Sequence, residues 1–232
     1  MGVFVECSST DIKQINDTLK ILNNSTDSQK IRSLSIYSLS DTGSVKQLPD
    51  FLFQTFNALS ELHISKTNLS SIGTQQTYSG LENSLQSLSF VNSKISTIPK
   101  TTLNKLIKLK SFDVQSNQID VLDSYAFYGL PLRILNLQNN LIKKIQEFAF
   151  GGLENTLEEL ILNGNRRLRK LSTLKMQNNQ INQIPDDGFT RFTLLETLDL
   201  QSNRIRHLNS RSFLTMPKLK ILYCSNNLLT VI

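Results

Sequence analysis

The sequence predicts an α/β solenoid, in which short parallel strands alternate with return segments along one axis. Three observations predict this fold: a recurring phrase L-x-x-L-x-L-x-x-N, a spacing of about 24 residues between most copies, and a phenylalanine 18 residues after several opening leucines. The clearest copies open at Leu109, Leu132, Leu157, Leu171, Leu195 and Leu219.

Each phrase predicts a strand, because its apolar residues alternate with polar ones. Leu135 and Leu137 point to one side of the chain, and the residues between them point to the other side. Looser phrases open at Ile31, Leu59 and Leu85, which gives nine phrases in total. No single coil can bury its apolar side alone, so the coils must stack to form a core.

An asparagine closes each regular phrase at the point where the strand turns. Its amide can hydrogen-bond backbone groups of neighbouring coils, which predicts a ladder that holds the coils in register. The closing asparagines are Asn117, Asn140, Asn165, Asn179, Asn203 and Asn227. Thr67 and Ser93 stand in this place in earlier phrases, which predicts a less regular ladder in the N-terminal third.

The phenylalanines at the constant offset predict an aromatic spine on the convex side of the core. They are Phe127, Phe150, Phe189 and Phe213.

The repeat resembles that of extracellular leucine-rich repeat proteins, over residues 31–232. The resemblance implies a parallel β-sheet on the concave face, with loops and short helical turns on the convex face. The segments SLSFVNSKISTIPK and LDSYAFYGLPLRILNLQNNLIKKIQEFAFGGLENTLEELIL are similar to invertebrate chaoptin-like and slit-like proteins. They are also similar to the leucine-rich non-catalytic subunit of secreted shrimp luciferase of the Oplophorus type.

Residues 1–30 are predicted to form an N-terminal capping segment, and residues 31–232 the repeats. Ile12, Ile15, Leu19 and Leu22 have helical spacing. The N-terminus lacks the pattern of a signal peptide, and no run is long enough to span a membrane. The last phrase stops at an apolar LLTVI without a cap. Because the resemblance implies an extracellular or cell-surface location, we expect this chain to be a fragment.

The two cysteines do not predict a disulfide within the chain, because Cys7 and Cys224 lie at opposite ends of the solenoid. Four sites match the N-glycosylation pattern. The alternative for each is a polar asparagine that carries no glycan. These candidates are Asn16, Asn23, Asn24 and Asn68.

The sequence argues against catalysis. His63 falls within a strand phrase and His207 on a return segment, so the two histidines cannot act together. No nucleophile triad, phosphate-binding loop or metal-ligand spacing is present. We therefore expect no enzyme activity, no cofactor and no metal.

The outward positions of the strand phrases predict a polar surface for a protein partner, with Tyr37 and Tyr223 as aromatic anchors. The alternative for each residue is an ordinary solvated side chain. The candidate concave residues are Tyr37, His63, Lys66, Asp113, Asn136, Gln138, Lys175, Asp199 and Tyr223.

The net charge of +6 is concentrated in two runs outside the strand phrases. These runs predict either a solvated face or a patch for sulfated glycans, whereas nucleic-acid binding is disfavoured because aromatic residues do not interleave. The residues of this basic patch are Arg166, Arg167, Arg169, Lys170, Arg204 and Arg206.

These features leave three functional hypotheses. The first is a secreted or cell-surface module that binds a protein through its concave face. The second, implied by the resemblance, is a non-catalytic accessory subunit of a secreted luciferase-like oxygenase. The third is a glycan binder that acts through the basic patch.

One interval departs from the repeat. Only 14 residues separate Leu157 from Leu171, and ten residues that would carry two apolar positions and the spine phenylalanine are missing. The few residues between Asn165 and Leu171 are too short for a normal return segment. We predict an irregular coil near 163–171 and a gap in the spine between Phe150 and Phe189.

Overall fold

A computed structural model provides the structure of the protein. It describes residues 3–8, 12–23, 28–37, 47–146, 148–153, 156–162, 164–165, 171–182, 184, 192–214 and 216–230. The predicted solenoid is confirmed: every strand pair among the described residues is parallel, and the strands of the largest sheet belong to successive coils.

Within the described residues, twelve strands form three sheets. The seven-stranded sheet contains, in order, β1 (Val3–Ser8), β2 (Ile31–Tyr37), β3 (Glu61–Ser65), β4 (Ser87–Val91), β5 (Ser111–Asp113), β7 (Ile134–Asn136) and β9 (Glu159–Ile161). A three-stranded sheet contains β10 (Thr173–Lys175), β11 (Thr197–Asp199) and β12 (Ile221–Tyr223). The return segments contribute a two-stranded sheet of β6 (Val121–Leu122) and β8 (Lys144–Ile145).

Helical structure is sparse, as expected for short return segments. It comprises α1 (Ile12–Asn23), the single turn α2 (Ser210–Phe213), and 3-10 turns at Ser28–Lys30 and Gln76–Tyr78.

The strands form where the apolar residues alternate. In β3 the side chains of Leu62 and Ile64 are buried, whereas Glu61 is exposed and His63 and Ser65 are partly exposed. The parallel register places Leu34, Leu62 and Leu88 in one buried row. Burial of these rows stabilises the stack because apolar surface leaves water.

The predicted asparagine ladder is confirmed. The Nδ2 of Asn140 donates to the Val114 carbonyl of the preceding coil at 2.9 Å and to the Leu137 carbonyl of its own coil at 3.1 Å. Its Oδ1 accepts from the backbone N–H of Ile119 in the preceding coil at 3.1 Å. One buried amide therefore satisfies backbone groups of two coils.

In the N-terminal third the ladder is less regular, as predicted, because hydroxyl side chains take the ladder positions. The Thr67 hydroxyl donates to the Ser93 Oγ at 2.7 Å. Hydroxyl groups thus replace the amides, and each of them reaches fewer backbone groups.

The residue before each of these ladder positions adopts a left-handed backbone, a feature that the sequence analysis missed. The φ angle is +53° at Asn139 and +76° at Gly164. Asparagine and glycine tolerate this conformation better than other residues, so their recurrence at one offset was the available signal. The same conformation occurs at Lys66, Asn92, Ser116, Asn178, Ser202 and Asn226.

The aromatic spine is confirmed where it is described. The rings of Phe127 and Phe150 stack with centroids 6.3 Å apart and planes inclined by 5°. Phe213 is partly buried against the same core, whereas Phe189 lies outside the described residues.

The N-terminal segment contains more than the predicted helix. In α1 the side chains of Ile15 and Leu19 are buried in the core. Strand β1, which was not predicted, pairs with β2 and aligns Cys7 with Ile36. The sheet therefore begins within residues 1–30, before the first predicted phrase.

The strands divide where the short interval falls. Strand β9 ends the seven-stranded sheet and β10 begins the three-stranded sheet, which confirms the predicted irregularity; residues 163 and 166–170 themselves lie outside the described residues. Below, the coils of β1–β9 are called the first stack and those of β10–β12 the second stack.

The ladder is also interrupted at this division. The Nδ2 of Asn179 donates to Met176 and Gln177 of its own coil, at 3.1 and 3.0 Å. Its buried Oδ1 has no hydrogen-bond partner in the described part of the chain. A backbone bond of 2.7 Å from the Gln180 N–H to the Leu157 carbonyl does connect the stacks, but it reaches the opening leucine of the preceding unit. In regular coils, the N–H of the residue after the ladder asparagine donates to a carbonyl that follows the ladder position of the preceding unit. The Leu141 N–H, for example, donates to the Ile119 carbonyl.

Candidate functional site

The outward face of the seven-stranded sheet, called the concave face below, presents three columns of side chains in register. The central column runs through Glu6, Ser35, His63, Ser89, Asp113, Asn136 and Ile161. The flanking columns contain Ser33, Glu61, Ser87, Ser111, Ile134 and Glu159 on one side and Tyr37, Ser65 and Val91 on the other. All of these side chains are exposed or partly exposed, so the face is available for contact.

Several predicted residues in the central column make local hydrogen bonds. His63 Nδ1 lies 2.9 Å from the Ser89 hydroxyl on the next strand. Asp113 accepts from the backbone N–H of Gln115 at 3.0 Å and from its Nε2 at 2.9 Å. Asn136 accepts from the Gln138 N–H at 3.0 Å. These hydrogen bonds orient the side chains of His63, Asp113 and Asn136 in the unbound protein.

Lys66 was predicted among the concave residues, but it does not lie in any of the three columns of the concave face. It follows the end of β3 at the left-handed turn position, with φ of +54°. Its neighbour Ser65 takes the outward place, aligned with Tyr37 and Val91. The assignment was one residue out of register, since Ser65 and not Lys66 has the same offset from Leu59 as Tyr37 has from Ile31.

The predicted residues do not all share one sheet. Tyr37, His63, Asp113 and Asn136 lie on the first stack, and Gln138 follows β7. Lys175, Asp199 and Tyr223 align with one another on the second stack. Tyr37 and Tyr223, the two proposed anchors, therefore belong to different sheets.

At the division, Lys175 lies across from a return segment of the first stack. It lines a cleft of about 250 Å³ with Ile145 and Gln146, and a smaller one of about 60 Å³ with Phe148 and Phe150. The outward column of the second stack thus does not continue directly from Ile161.

Part of the basic patch surrounds a groove of about 620 Å³ on the return side of the second stack. Arg204, Arg206 and His207 line it together with Asn182 and Asn209. Both arginine side chains are exposed. Arg166, Arg167, Arg169 and Lys170 lie outside the described residues.

An exposed aromatic cluster on the return side was not predicted. The Tyr125 ring stacks on Phe148 at 5.7 Å and meets Tyr128 edge-on at 6.0 Å. Tyr128 is 62% exposed and Phe148 is 50% exposed. The offset of Tyr125 and Phe148, two residues before the spine phenylalanines, was the only sequence signal.

The cysteines are free thiols, in agreement with the prediction. Cys7 is buried in the core, and this burial raises the pKa of its thiol. Among the glycosylation candidates, Asn68 is partly buried, Asn16 and Asn23 lie on α1, and Asn24 lies outside the described residues.

The described residues contain no group of three or more potential metal ligands. None of the described helices has the length and apolar character needed to cross a bilayer.

Stacked parallel coils, a ladder of buried amides and an outward polar sheet define a solenoid repeat protein. The chain belongs to the leucine-rich repeat family: the model described as "BspA type Leucine rich repeat region (6 copies)" matches residues 28–157, and the model described as "Leucine rich repeat" matches residues 169–229. Proteins of this family are typically non-catalytic binding modules. Comparison with curated protein sequences gives no match.

Three solved structures are similar to this chain at low sequence identity. A TLR13–ssRNA13 complex is 22% identical with a TM-score of 0.51, over 97% of this chain and 29% of that chain. FLRT2 in an octameric complex with latrophilin 3 and Unc5D is 24% identical, with a TM-score of 0.47, over 86% of this chain and 68% of that chain. An internalin of Listeria monocytogenes is 23% identical, with a TM-score of 0.43, over 89% of this chain and 58% of that chain.

Proposed function

We propose that this chain is a non-enzymatic module of a secreted or cell-surface protein that recognises a protein partner through the concave face of the first stack. The observation that supports it most directly is the alignment of polar, partly exposed side chains across seven consecutive strands. Such a face offers many hydrogen-bonding groups on a rigid support.

The composition of this face suits a protein partner better than a small molecule. Serine side chains are the most numerous, carboxylates come next, and apolar residues such as Ile134 and Ile161 are scattered among them. Small-molecule sites are usually concave, mostly apolar pockets, whereas interfaces between proteins tolerate a polar rim and bridging water.

A bulky side chain at the centre of the concave face should abolish partner binding. We expect Ser89→Trp to prevent capture of a partner from extracellular fluid of the source organism, because an indole there would separate the two surfaces. Pull-down with the immobilised chain, followed by mass spectrometry, measures this. A captured secreted oxygenase would identify the chain as an accessory subunit, and a receptor or matrix protein would identify an adhesion role.

The matched control is Asn57→Trp, on an exposed return segment, which should leave capture unchanged. Equal loss with both variants, or capture that persists with Ser89→Trp, would contradict recognition through the concave face.

A second candidate function, binding of a sulfated glycan, is favoured by the groove that Arg204, Arg206 and His207 line. The arginines project two positive charges beside the amides of Asn182 and Asn209. Guanidinium groups bind sulfate-like oxyanions through paired hydrogen bonds. The proposal concerns this groove alone and is independent of the concave face.

Removing the two arginines should weaken retention on heparin. We expect the wild-type chain to elute above about 0.15 M salt, where exposed charges are already substantially screened, and Arg204→Ala/Arg206→Ala to elute at lower salt. The control is Lys100→Ala/Lys105→Ala, which removes the same charge elsewhere. Elution of the wild-type chain below that salt concentration, or an equal effect of the control, would count against this site.

A further inference from the structure

The charge on the concave face is opposite to that of the whole chain. The chain carries a net charge of +6. Within the described side chains of the three columns, however, the charged groups are carboxylates alone: Glu6, Glu61, Asp113 and Glu159.

These carboxylates have a regular spacing. They lie on β1, β3, β5 and β9, which are the first, third, fifth and seventh strands of the sheet. Neighbouring strands are about 4.8 Å apart, so the acidic positions are separated by about 10 Å in the direction across the strands. They alternate between two columns about 7 Å apart, because Glu6 and Asp113 lie in the central column and Glu61 and Glu159 in the flanking one. The intervening strands present small polar residues, among them Ser35, Ser87 and Ser89.

Basic side chains border this face on one edge. Arg32, Lys110 and Arg133 lie at the starts of strands, in the row beside the columns. Arg133 is already paired with Glu158, at 3.4 Å. The negative charge therefore follows the columns of the face from the first strand to the last, and the positive charge lies in the row beside them.

We infer that the concave face of the first stack binds a helical segment of its partner that presents lysine or arginine at every seventh position. This inference rests on the proposed function. Seven residues of an α-helix advance about 10.5 Å, which matches the interval between the acidic positions. An extended segment fits less well, because residues about 10 Å apart along a strand project from opposite faces. Complementary charge of this kind sets partner choice and accelerates association.

The experiment uses two helical peptides of identical composition. One carries four lysines at intervals of seven, on one face; the other distributes the same lysines around the helix. We expect the first to bind at least tenfold more tightly in fluorescence anisotropy at moderate salt. The variant Glu61→Gln/Asp113→Asn/Glu159→Gln should remove that difference. Asparagine is compatible with position 113, because Asn136 makes the same local bond one strand further along.

The control variant is Asp50→Asn/Asp120→Asn/Asp123→Asn, which changes the charge equally but lies outside the columns; it should bind as the wild type does. Circular dichroism and the urea midpoint verify that both variants fold. Equal binding of the two peptides, or an equal effect of the control variant, would overturn the inference. A non-specific attraction would favour a glutamate-bearing peptide, since the chain as a whole is positive.

Recognition of a protein through the concave face and binding of a basic helix by its carboxylates are distinguished by comparing the two variants. If Ser89→Trp abolishes partner capture and the acidic triple variant does not, the concave face binds a protein but not through its carboxylates. If neither changes capture, the concave face is not the binding surface at all.

Discussion

Replacing Asn140 with alanine is expected to lower the free energy of unfolding by about 2–3 kcal/mol. The amide is only 3% exposed. Its loss would leave the Ile119 N–H in the preceding coil without its partner, and it would remove one of the two amide bonds to the Val114 carbonyl, which keeps the bond from Asn117. Each buried polar group left unsatisfied costs about 1–3 kcal/mol. Urea unfolding followed by circular dichroism measures the change.

Asn179→Ala provides the matched control, because this asparagine occupies the same place in its coil. Its amide bonds only within its own coil, and its Oδ1 is already unpartnered among the described residues. We expect a loss of about 1 kcal/mol. If the two substitutions cost the same, bonding between coils is not what makes the ladder stabilising.

The second large effect concerns cooperativity: the two stacks are expected to unfold as separate units. Leu135→Ala in the first stack and Leu198→Ala in the second should each cost about 2–5 kcal/mol, because both side chains are fully buried. Each substitution should lower hydrogen-exchange protection in its own stack alone. In solenoids, cooperativity passes through the interface between neighbouring coils, and here the sheet and the ladder are both interrupted at that interface.

Hydrogen exchange monitored by mass spectrometry distinguishes the stacks, since peptides from β5 and β7 report on the first and peptides from β11 and β12 on the second. Two results together would show that the stacks are coupled despite the division. The wild-type chain would unfold in one transition, and each substitution would lower hydrogen-exchange protection in both stacks.

The sequence predicted the repeat and its ladder well, because each depends on contacts at a fixed offset. The regular coils meet their neighbours in the same way, so the role of Asn140 could be inferred from its place in the phrase. The hydroxyl pair of Thr67 and Ser93 and the ring pair of Phe127 and Phe150 follow the same rule.

Strand β1 was missed because it has no copy of the full phrase. It contains none of the leucines and no closing asparagine, and the role of Val5 and Cys7 became evident only through pairing with Leu34 and Ile36. The register of Lys66 was available from the sequence, because its offset from Leu59 is one residue longer than that of Tyr37 from Ile31.

The sequence by itself determined the coil, the core and the place of the irregular interval, because these depend on periodicity and on the number of residues between strands. Only the tertiary structure decided which outward residues share a surface. Lys175, Asp199 and Tyr223 have the same place in their phrase as Asp113 and Asn136, yet they lie on another sheet. The regular spacing of Glu6, Glu61, Asp113 and Glu159 likewise emerged only from strand pairing, because residues far apart in the chain become neighbours at a distance that the sheet sets.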